Sequence, residues 1–396
     1  MEKVVNTEKQ PIKIWAREVE DGAMKQAKAL ANHPVINHPV CLMSDCHQGY
    51  GMPIGGVIAC TDAVIPNAVG VDVGCGMGAI KTSLKYHNVN NELLKRIRNK
   101  LLERIPVGMN IHSNPIDDQD FKNELQQMNC VLEEKEFDRV LKSVGTLGSG
   151  NHFMEIQKDK NDNIWFMVHS GSRKLGYIIN KHYNRIALGL NKRYHSNIPN
   201  DELAFLSVHT QEGIAYIEDM NFALKFARNN RECMKNIFKE IINQYFSDII
   251  FEKDINIHHN YASIEHFKGK NLWIHRKGAT AAYKFKYGII PGSMGTNSYI
   301  VQGKGNDESY CSCSHGAGRK MSRTDACINI DKKEHDKKMH GIIKGEEGLV
   351  NRGRAKGKVD LSESPLAYKN ITEVMSLQSD LVDIECELEP IVSIKG

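Results

Sequence analysis

The chain has 396 residues, of which 41% are hydrophobic and 25% charged, as in an ordinary soluble globular protein. Its net charge of +4 is too small to indicate a nucleic-acid partner by itself. No apolar run approaches the roughly 18 residues of a membrane span, and the N-terminus lacks the apolar core of a signal peptide. We therefore expect a cytoplasmic protein with no membrane partner. The ten cysteines contain no CxxC pair, which argues against disulfides and a zinc ribbon.

The first half of the chain is predicted to mix helices with short strands. The stretch AREVEDGAMKQAKALANHP is typical of an amphipathic helix that ends before Pro34. Between residues 41 and 80, short apolar runs alternate with glycine and proline, which favours strands joined by turns. Residues 90 to 104 and about 118 to 143 are predicted to be helical.

The second half is predicted to contain strands that stop abruptly at small residues. The apolar run from Ile164 to Val168 ends at Ser170-Gly171-Ser172, and NLWIHRKGA repeats that design. Residues 200 to 246 are predicted to form one long helix or two, and EPIVSIKG a final strand. Because strands and helices do not alternate steadily and no linker divides the chain, the pattern favours an α+β fold over a doubly wound sheet.

Side chains that bind metals recur in glycine-rich or strand-end surroundings. Glycine lets a backbone approach a ligand closely, and histidine, thiolate and carboxylate are common metal ligands. A lone buried histidine or cysteine is more often part of a core, so each case is weak alone. Together they favour one common site. The residues singled out are Asp45, His47, Asp72, Cys75, Asn151, His152, Glu155, His169, His258, His259, His275 and His315.

Five of these residues make a plausible ligand set, namely Asp72, Cys75, His152, His169 and His259. Five ligands are too many for one tetrahedral ion and suit two ions that share a ligand. A thiolate can take the shared position because its sulfur has spare lone pairs. The softness of the donors alone predicts zinc.

Several cationic side chains follow the candidate histidines closely. Guanidinium groups beside metals suggest a phosphate-rich substrate, because both neutralise the same oxygens. The alternative is that they pair with the chain's own carboxylates. A separate basic stretch from Asn351 to Asp360 is interpreted more simply as a solvated loop than as an RNA-contacting arm. The cations beside histidines are Arg173, Arg276, Lys277, Arg319 and Arg323.

The stretch HGAGR contains His315 followed by three small residues, Gly316, Ala317 and Gly318. A turn of small residues with free backbone N–H groups can hold phosphate oxygens. A histidine there is either a hydrogen-bond donor to phosphate or a nucleophile that attacks phosphorus, and the spacing does not separate the two. The stretch is not a Walker A motif, which ends in Lys-Ser/Thr.

Taken together, these stretches resemble the RtcB family of RNA ligases over nearly the whole chain. The resemblance implies a fold particular to that family, with one α+β catalytic domain over residues 1–396 that acts as a monomer. The motifs that carry it are SDCHQGYGMPIGGV, VGVDVGCGMG, GTLGSGNHFMEI, HSGSRKLG, HHN, HRKGA, IIPGSMGTNSYIVQG, SHGAGRKMSR, SPLAYK and the terminal IKG.

The resemblance implies two Mn²⁺ ions where donor softness predicts zinc. Cys75 matches the bridging ligand. One ion would add Asp72 and His152, and the other His169 and His259. His259 is preferred over its neighbour His258 because Asn260 follows it, as in the family motif.

The resemblance also implies GTP as a cofactor and makes His315 the nucleophile that takes GMP. Tyr368 is expected to stack on the base, and the C-terminal strand to deliver Lys395. The implied guanylate-binding residues are Asn151, His152, Phe153, Met154, Glu155, His259, Asn260, Pro291, Gly292, Ser293, Met294, Ser298, His315, Gly316, Ala317, Gly318, Tyr368 and Lys395.

The implied reaction joins an RNA end bearing a 3′-phosphate or 2′,3′-cyclic phosphate to a 5′-hydroxyl end, in RNA repair or tRNA splicing. Two alternatives stay open at this point. One is a dinuclear metal phosphoesterase that acts on RNA ends without joining them. The other is a catalytically silent RNA-binding paralogue. A covalent nucleotide on His315 separates the ligase from both.

Overall fold

Two large β-sheets form the frame of the computed structural model, which describes residues 1–396. The strands are β1 (Lys3–Val5), β2 (Ile12–Ile14), β3 (Val40–His47), β4 (Ile54–Cys60), β5 (Ala63–Val64), β6 (Gly76–Lys85), β7 (Phe153–Asp159), β8 (Asn163–Ser170), β9 (Leu206–Ser207), β10 (Phe251–His258), β11 (Asn260–Phe267), β12 (Lys270–Lys277), β13 (Ala279–Ala281), β14 (Tyr287–Ile290), β15 (Ser298–Gly303), β16 (Ser312–Ser314) and β17 (Val382–Lys395).

Ten α-helices connect and cover the sheets. They are α1 (Asp21–Ala31), α2 (Pro66–Val69), α3 (Asn91–Arg104), α4 (Gln119–Gln126), α5 (Glu134–Leu141), α6 (Lys174–Arg193), α7 (Gln211–Asn243), α8 (Arg323–Asn329), α9 (Lys332–Lys338) and α10 (Ile371–Ser376). None of the helices combines the length and the apolar character that crossing a bilayer requires.

The larger sheet has seven antiparallel strands in the order β10-β6-β8-β7-β17-β15-β14. The other has six strands in the order β1-β2-β3-β4-β12-β11, in which only β2 and β3 are parallel. Two short ladders, β13-β16 and β5-β9, complete the pairing. The mixture of helices and largely antiparallel sheets confirms the predicted α+β fold.

Strand β8 is buried at all eight positions, which explains why its sequence is a continuous apolar run rather than an alternating one. One face packs on α7, where Phe166 stacks on Phe238 with ring centroids 4.5 Å apart. On the opposite face, Trp165 and Met167 pack in a separate apolar cluster with Ile289. The strand is therefore held on both faces, and its end at residue 170 is fixed.

The predicted elements are mostly observed, with differences that have local causes. The helix predicted before Pro34 begins only at Asp21. The helical region 118–143 is divided into α4 and α5, because the Asp219 carboxylate accepts the backbone N–H groups of Asn129 (3.0 Å) and Cys130 (2.7 Å) between them. Helix α6 was not predicted.

The region 200–246 contains one long helix, α7, rather than two. It starts at residue 211 because the Thr210 hydroxyl accepts the backbone N–H of Gly213 at 3.2 Å, which satisfies a free donor of the first turn. The C-terminal strand β17 pairs with β15 and β7, and its register places Lys395 opposite Phe153. The end of the chain is therefore ordered beside the start of β7.

Candidate active site

Four adjacent strands of the larger sheet bring the candidate metal ligands to one edge. Antiparallel pairing puts the starts of β6 and β7 beside the ends of β8 and β10. Cys75 immediately precedes β6, His152 immediately precedes β7, His169 lies at the end of β8, and His259 immediately follows β10. Four residues far apart in the sequence therefore share one end of the sheet.

The donor atoms of the cluster are close together. The Cys75 Sγ lies 3.4 Å from Nε2 of His152 and 3.2 Å from Nε2 of His169. The Nε2 atoms of His169 and His259 are 3.3 Å apart. Asp72 Oδ2 lies 3.0 Å from Nε2 of His152. The structure thus brings all five predicted ligands together.

Backbone carbonyls on the far side of two imidazoles fix which nitrogen faces the cluster. Nδ1 of His152 lies 3.1 Å from the carbonyl oxygen of Leu147, and Nδ1 of His169 lies 3.1 Å from that of Asn151. A carbonyl accepts but cannot donate, so Nδ1 carries the proton and Nε2 presents a lone pair. The lone pairs converge on the thiol of Cys75.

This arrangement fits a bound cation. Burial and neighbouring imidazoles hold the pKa values of His169 and His259 well below the ordinary value, so both rings are neutral. Burial and the Asp72 carboxylate raise the pKa of the Cys75 thiol well above its ordinary value. Donor atoms 3.2 to 3.4 Å apart whose lone pairs face one another repel unless a proton or a metal lies among them. The donor set matches transition-metal chemistry.

A tight turn places Asp72 and Cys75 on the same side. The backbone N–H of Cys75 donates to the carbonyl of Asp72 at 3.0 Å, and Gly74 between them has a φ of +78°. A Cβ on Gly74 would lie 3.1 Å from the carbonyl oxygen of Ala223 and from Ala227 on α7. The glycine is therefore required by its backbone conformation and by the close approach of the helix.

His315 lies next to the cluster. Its ring centroid is 4.8 Å from that of His259, and it immediately follows β16. Its Nδ1 lies 2.7 Å from Oδ2 of Asp45, which also accepts the backbone N–H groups of His315 (3.1 Å) and Gly316 (3.3 Å). Asp45 is fully buried on β3. The carboxylate holds the proton on Nδ1, so Nε2 is the nitrogen free to react.

A cavity of about 650 Å³ is lined by His315 and by four of the five candidate metal ligands. Its walls come from both large sheets and from the segments around them. Residues of the predicted nucleotide site that line it are Asn151, Phe153, His259, Asn260, Pro291, Gly292, Ser293, His315, Gly316, Ala317, Gly318, Tyr368 and Lys395; the metal candidates Asp72, Cys75 and His169 line it as well.

Five predicted nucleotide-binding residues lie outside the walls of that cavity. His152 is held in the cluster of candidate metal ligands, and Met154 is buried in the apolar core. Ser298 is buried, and its hydroxyl accepts the backbone N–H of Gly292 at 3.1 Å. Met294 lines an adjoining cavity of about 370 Å³ that meets the first at Lys395. Glu155 is the fifth.

Glu155 is buried and lines neither cavity; its carboxylate accepts from Nε2 of Gln157 at 2.8 Å and from the hydroxyl of Ser393 at 3.1 Å. Burial raises the pKa of Glu155 to about 7, against the opposing effect of the Lys395 ammonium. Burial lowers the pKa of Lys395, against the opposing effects of Glu363 and Glu155. The Lys395 Nζ also lies 5.0 Å from the ring centroid of Phe153. The amine thus lies at the junction of the two cavities, and the carboxyl group acts on it from behind their wall.

Arg319 and Arg323 are the two sequence-selected arginines that line the large cavity. Both contact Glu363, at 3.2 Å and 2.9 Å. The Arg319 guanidinium also lies 4.9 Å from the ring centroid of Tyr368 and donates to its hydroxyl at 3.0 Å. Cationic groups and an aromatic ring therefore form one wall.

The other three sequence-selected cations do not line the cavity. Arg276 is fully buried and pairs with Glu265, as the alternative interpretation expected. Lys277 donates to the carbonyls of Tyr50 and Asn67. Arg173 donates to the hydroxyl of Thr146 and to the carbonyl of Gly108, and it lies close enough to the cluster for the charges of Asp72 and Cys75 to act on it.

Sequence comparisons identify the family. A family model described as "tRNA-splicing ligase RtcB" matches residues 26–396. The chain belongs to the RtcB family. It is 35% identical to the RNA-splicing ligase RtcB of Escherichia coli (strain K12), with 99% of each chain aligned. It is 29% identical to the tRNA-splicing ligases RtcB of Nanoarchaeum equitans, over 98% of this chain and 95% of that protein, and of Thermococcus kodakarensis, over 95% and 92%.

Two contacts of this RtcB-family chain were missed by sequence reasoning. Asp45 was noticed beside glycines, but nothing in its motif indicated that it contacts His315, 270 residues away. Glu363 was not singled out, although it joins Arg319 and Arg323. In both cases the partner is brought close only by the tertiary fold.

Proposed function

We propose that this chain is a GTP- and Mn²⁺-dependent RNA ligase that acts through a guanylylated histidine. The observation that carries the proposal is the meeting of a five-donor metal cluster with the Asp45-oriented His315 in one cavity. The cavity takes His315 and the metal donors from different sheets and segments, so we also propose that residues 1–396 act as one catalytic domain.

His315 is assigned the role of nucleophile. Its Nε2 lone pair would attack the α-phosphorus of GTP, forming an N–P bond while pyrophosphate leaves. The imidazole becomes positively charged as this bond forms, and the Asp45 carboxylate at 2.7 Å stabilises that charge. Asp45 itself keeps its negative charge and holds the ring in the reactive tautomer.

Two Mn²⁺ ions would be held by the cluster, with Cys75 shared between them. Asp72 and His152 would complete one set of ligands, and His169 and His259 the other. Bound there, the ions would lower the negative charge on the phosphates and activate attacking oxygens. The preformed Nε2 orientation of His152 and His169 supports this assignment.

The junction of the two cavities is assigned to the guanine base. Guanine presents adjacent N–H donors and a carbonyl acceptor along one edge. The Lys395 ammonium, which lines both cavities, can donate to the carbonyl, and Glu155 behind that wall would exchange its bonds to Gln157 and Ser393 to accept from the donors. The Tyr368 ring on the neighbouring wall offers a surface for stacking.

The RNA chemistry follows in steps. A 2′,3′-cyclic phosphate end is first hydrolysed to a 3′-phosphate. GMP then passes from His315 to that 3′-phosphate and activates it. The 5′-hydroxyl of the second end attacks the activated phosphorus, GMP leaves, and a 3′–5′ phosphodiester forms. Arg319 and Arg323 lie where they can contact phosphate oxygens that enter the cavity.

We propose that the backbone of the RNA leaves the cavity over a basic loop formed by residues 348–360. This loop is ordered by ladder-like bonds, including Val350 N–H to the carbonyl of Lys358 at 2.9 Å. Arg354 contacts Asp325 on α8 at 3.3 Å, and the first residue of that helix, Arg323, lines the cavity. The other cations of the loop, Arg352, Lys356 and Lys358, are exposed and have no carboxylate partner.

The test uses two RNA strands, one with a ³²P-labelled 3′-phosphate and one with a 5′-hydroxyl, plus GTP and Mn²⁺. A ligase produces a longer strand in which the labelled phosphate resists phosphatase. A phosphoesterase instead releases labelled inorganic phosphate, and a silent paralogue changes nothing. Either of the last two results would contradict the proposal.

A further inference from the structure

A buried arginine on α7 contacts the backbone on both sides of the metal cluster. Arg231 is fully buried, and its Nη1 donates to the carbonyls of Gly74 (3.1 Å) and Ser170 (2.8 Å). Gly74 immediately precedes Cys75, and Ser170 immediately follows His169. One guanidinium nitrogen thus ties together the two segments that carry a thiol and an imidazole of the cluster.

The remaining donors of Arg231 reach the third segment. Its Nε donates to Oδ1 of Asn256 at 2.8 Å, and Nη2 lies 3.2 Å from Nδ1 of His258. Both partners lie on β10, which ends immediately before His259. The guanidinium therefore contacts the segments before Cys75, after His169 and before His259.

The neighbouring residue, Asn230, secures the loop before the fourth ligand. Its Oδ1 accepts the backbone N–H groups of Gly145 (2.7 Å) and Thr146 (3.1 Å), and its Nδ2 lies 3.1 Å from both the carbonyl of Thr146 and the hydroxyl of Ser170. Every hydrogen-bonding atom of this fully buried amide is used. The loop and the end of β8 are fixed relative to each other.

That loop controls the orientation of His152. The hydroxyl of Ser170, which contacts Asn230, donates to the carbonyl of Leu147 at 2.6 Å. The same carbonyl accepts from Nδ1 of His152 at 3.1 Å. A continuous set of hydrogen bonds therefore runs from α7 to the imidazole.

The charge of Arg231 is unusual for a buried arginine. It forms no ion pair, although burying an unpaired cation is costly. The fully buried Arg276, by contrast, pairs with Glu265. Its donors are instead used on the backbone and side chains of the three segments that carry candidate ligands.

We propose that Asn230 and Arg231 are positioning residues that hold the metal ligands in their binding geometry before any ion arrives. Neither residue is placed in the ligand set or in the nucleotide cavity. Their effect acts through backbone carbonyls and a neighbouring loop. The inference rests on the proposed metal site and adds the part of the fold that builds it.

The test measures Mn²⁺ binding to the metal-free full chain, using the EPR signal of free Mn²⁺ and no GTP or RNA. Arg231→Lys keeps the charge but cannot reach all the partners of the guanidinium. Loss of such outer-shell contacts typically weakens metal binding about 10–100-fold, and we expect that range here. The matched control is Arg276→Lys, a fully buried arginine outside the cavity, which should bind Mn²⁺ as the wild type does.

Circular dichroism establishes that each variant is folded before binding is measured. If Arg231→Lys does not fold, Asn256→Ala decides, because it removes one anchor of the guanidinium from a half-buried position. Its Mn²⁺ affinity should fall several-fold. The inference alone would be overturned if the folded Arg231→Lys or Asn256→Ala variant bound Mn²⁺ with wild-type affinity. It would also be overturned if Arg276→Lys lost as much Mn²⁺ affinity as Arg231→Lys. A wild-type chain that binds no Mn²⁺ would overturn the proposed metal site and the inference together.

Discussion

The Asp45 carboxylate lies 2.7 Å from Nδ1 of His315 and also accepts the backbone N–H of that residue. Asp45 is fully buried on the six-stranded sheet, whereas the metal candidates lie at the edge of the seven-stranded one. The contact assigns the proton to Nδ1 and leaves Nε2 free beside His259. His315 is therefore oriented from one sheet and placed beside candidate ligands from the other.

Asp45→Asn should slow the formation of guanylylated protein by about 10²–10⁴-fold, because an amide can stabilise the wrong tautomer and cannot stabilise the imidazolium. The rate is measured with α-³²P-labelled GTP on metal-loaded protein. The control is Asp159→Asn, a buried carboxylate that bonds Asn163 and Trp165 away from the cavity. Equal rates in Asp45→Asn and the wild type would contradict the assigned role.

Cys75→Ala should weaken binding of both Mn²⁺ ions, because the thiolate is shared between them in our proposal. Asp72→Asn should weaken mainly one. Isothermal titration of Mn²⁺ into metal-free protein gives the stoichiometry and the affinities. Cys60→Ala, which also removes a buried thiol but lies outside the cavity, should leave both sites intact. Two unchanged sites in Cys75→Ala would show that the sulfur is not a shared ligand.

The raised pKa of Glu155 predicts a pH-dependent contribution to stability. Its pKa is about 7 in the folded chain and ordinarily 4.5, so the folded state binds more protons between these values. The stabilisation is present below about pH 4.5 and is lost as the pH rises through 7. The pKa difference corresponds to a change on the order of 3 kcal/mol.

Glu155→Gln cannot ionise and should lack this loss. Denaturant unfolding of the wild type and the variant between pH 5 and pH 8 measures the difference in their free energies of unfolding. The variant should gain stability relative to the wild type as the pH rises. Other groups titrate in both proteins, so their effects cancel in the difference between the two free energies of unfolding. A constant difference across the range would show that the pKa of Glu155 is not raised.

Replacing Arg352, Lys356 and Lys358 of the basic loop by serine should weaken binding of long RNA and leave guanylylation unchanged. Loss of three phosphate contacts should reduce the slope of log affinity against log salt concentration by about 2. Fluorescence anisotropy at several salt concentrations measures it. The control replaces three exposed, unpaired lysines elsewhere, Lys95, Lys135 and Lys160. An equal effect in the control would mean that only net charge matters.

The sequence predicted the elements that depend on local patterns. The buried strand around Phe166 and the C-terminal strand follow from apolar runs. The preference for His259 over His258 came from the resemblance to the family motif, in which Asn260 follows the histidine. In the structure His259 lies in the cluster, while His258 contacts Arg231. These features need no knowledge of distant partners.

What the sequence did not predict depends on contacts between distant segments. The break between α4 and α5 comes from Asp219 on another helix, and the partner of His315 comes from β3. The sequence left open whether Arg276 contacts a phosphate or pairs with a carboxylate, and in the structure it pairs with Glu265. Such contacts have no signature at fixed spacing, because loop length and packing set them.

The most direct test of the central claim is to find where GMP becomes attached. The wild type is incubated with α-³²P-labelled GTP and Mn²⁺, denatured, and digested for peptide mapping. We expect a base-stable, acid-labile label on the peptide that contains His315, and none in His315→Ala. A label retained in His315→Ala, or no label on a wild-type chain with both metal sites filled, would contradict the account.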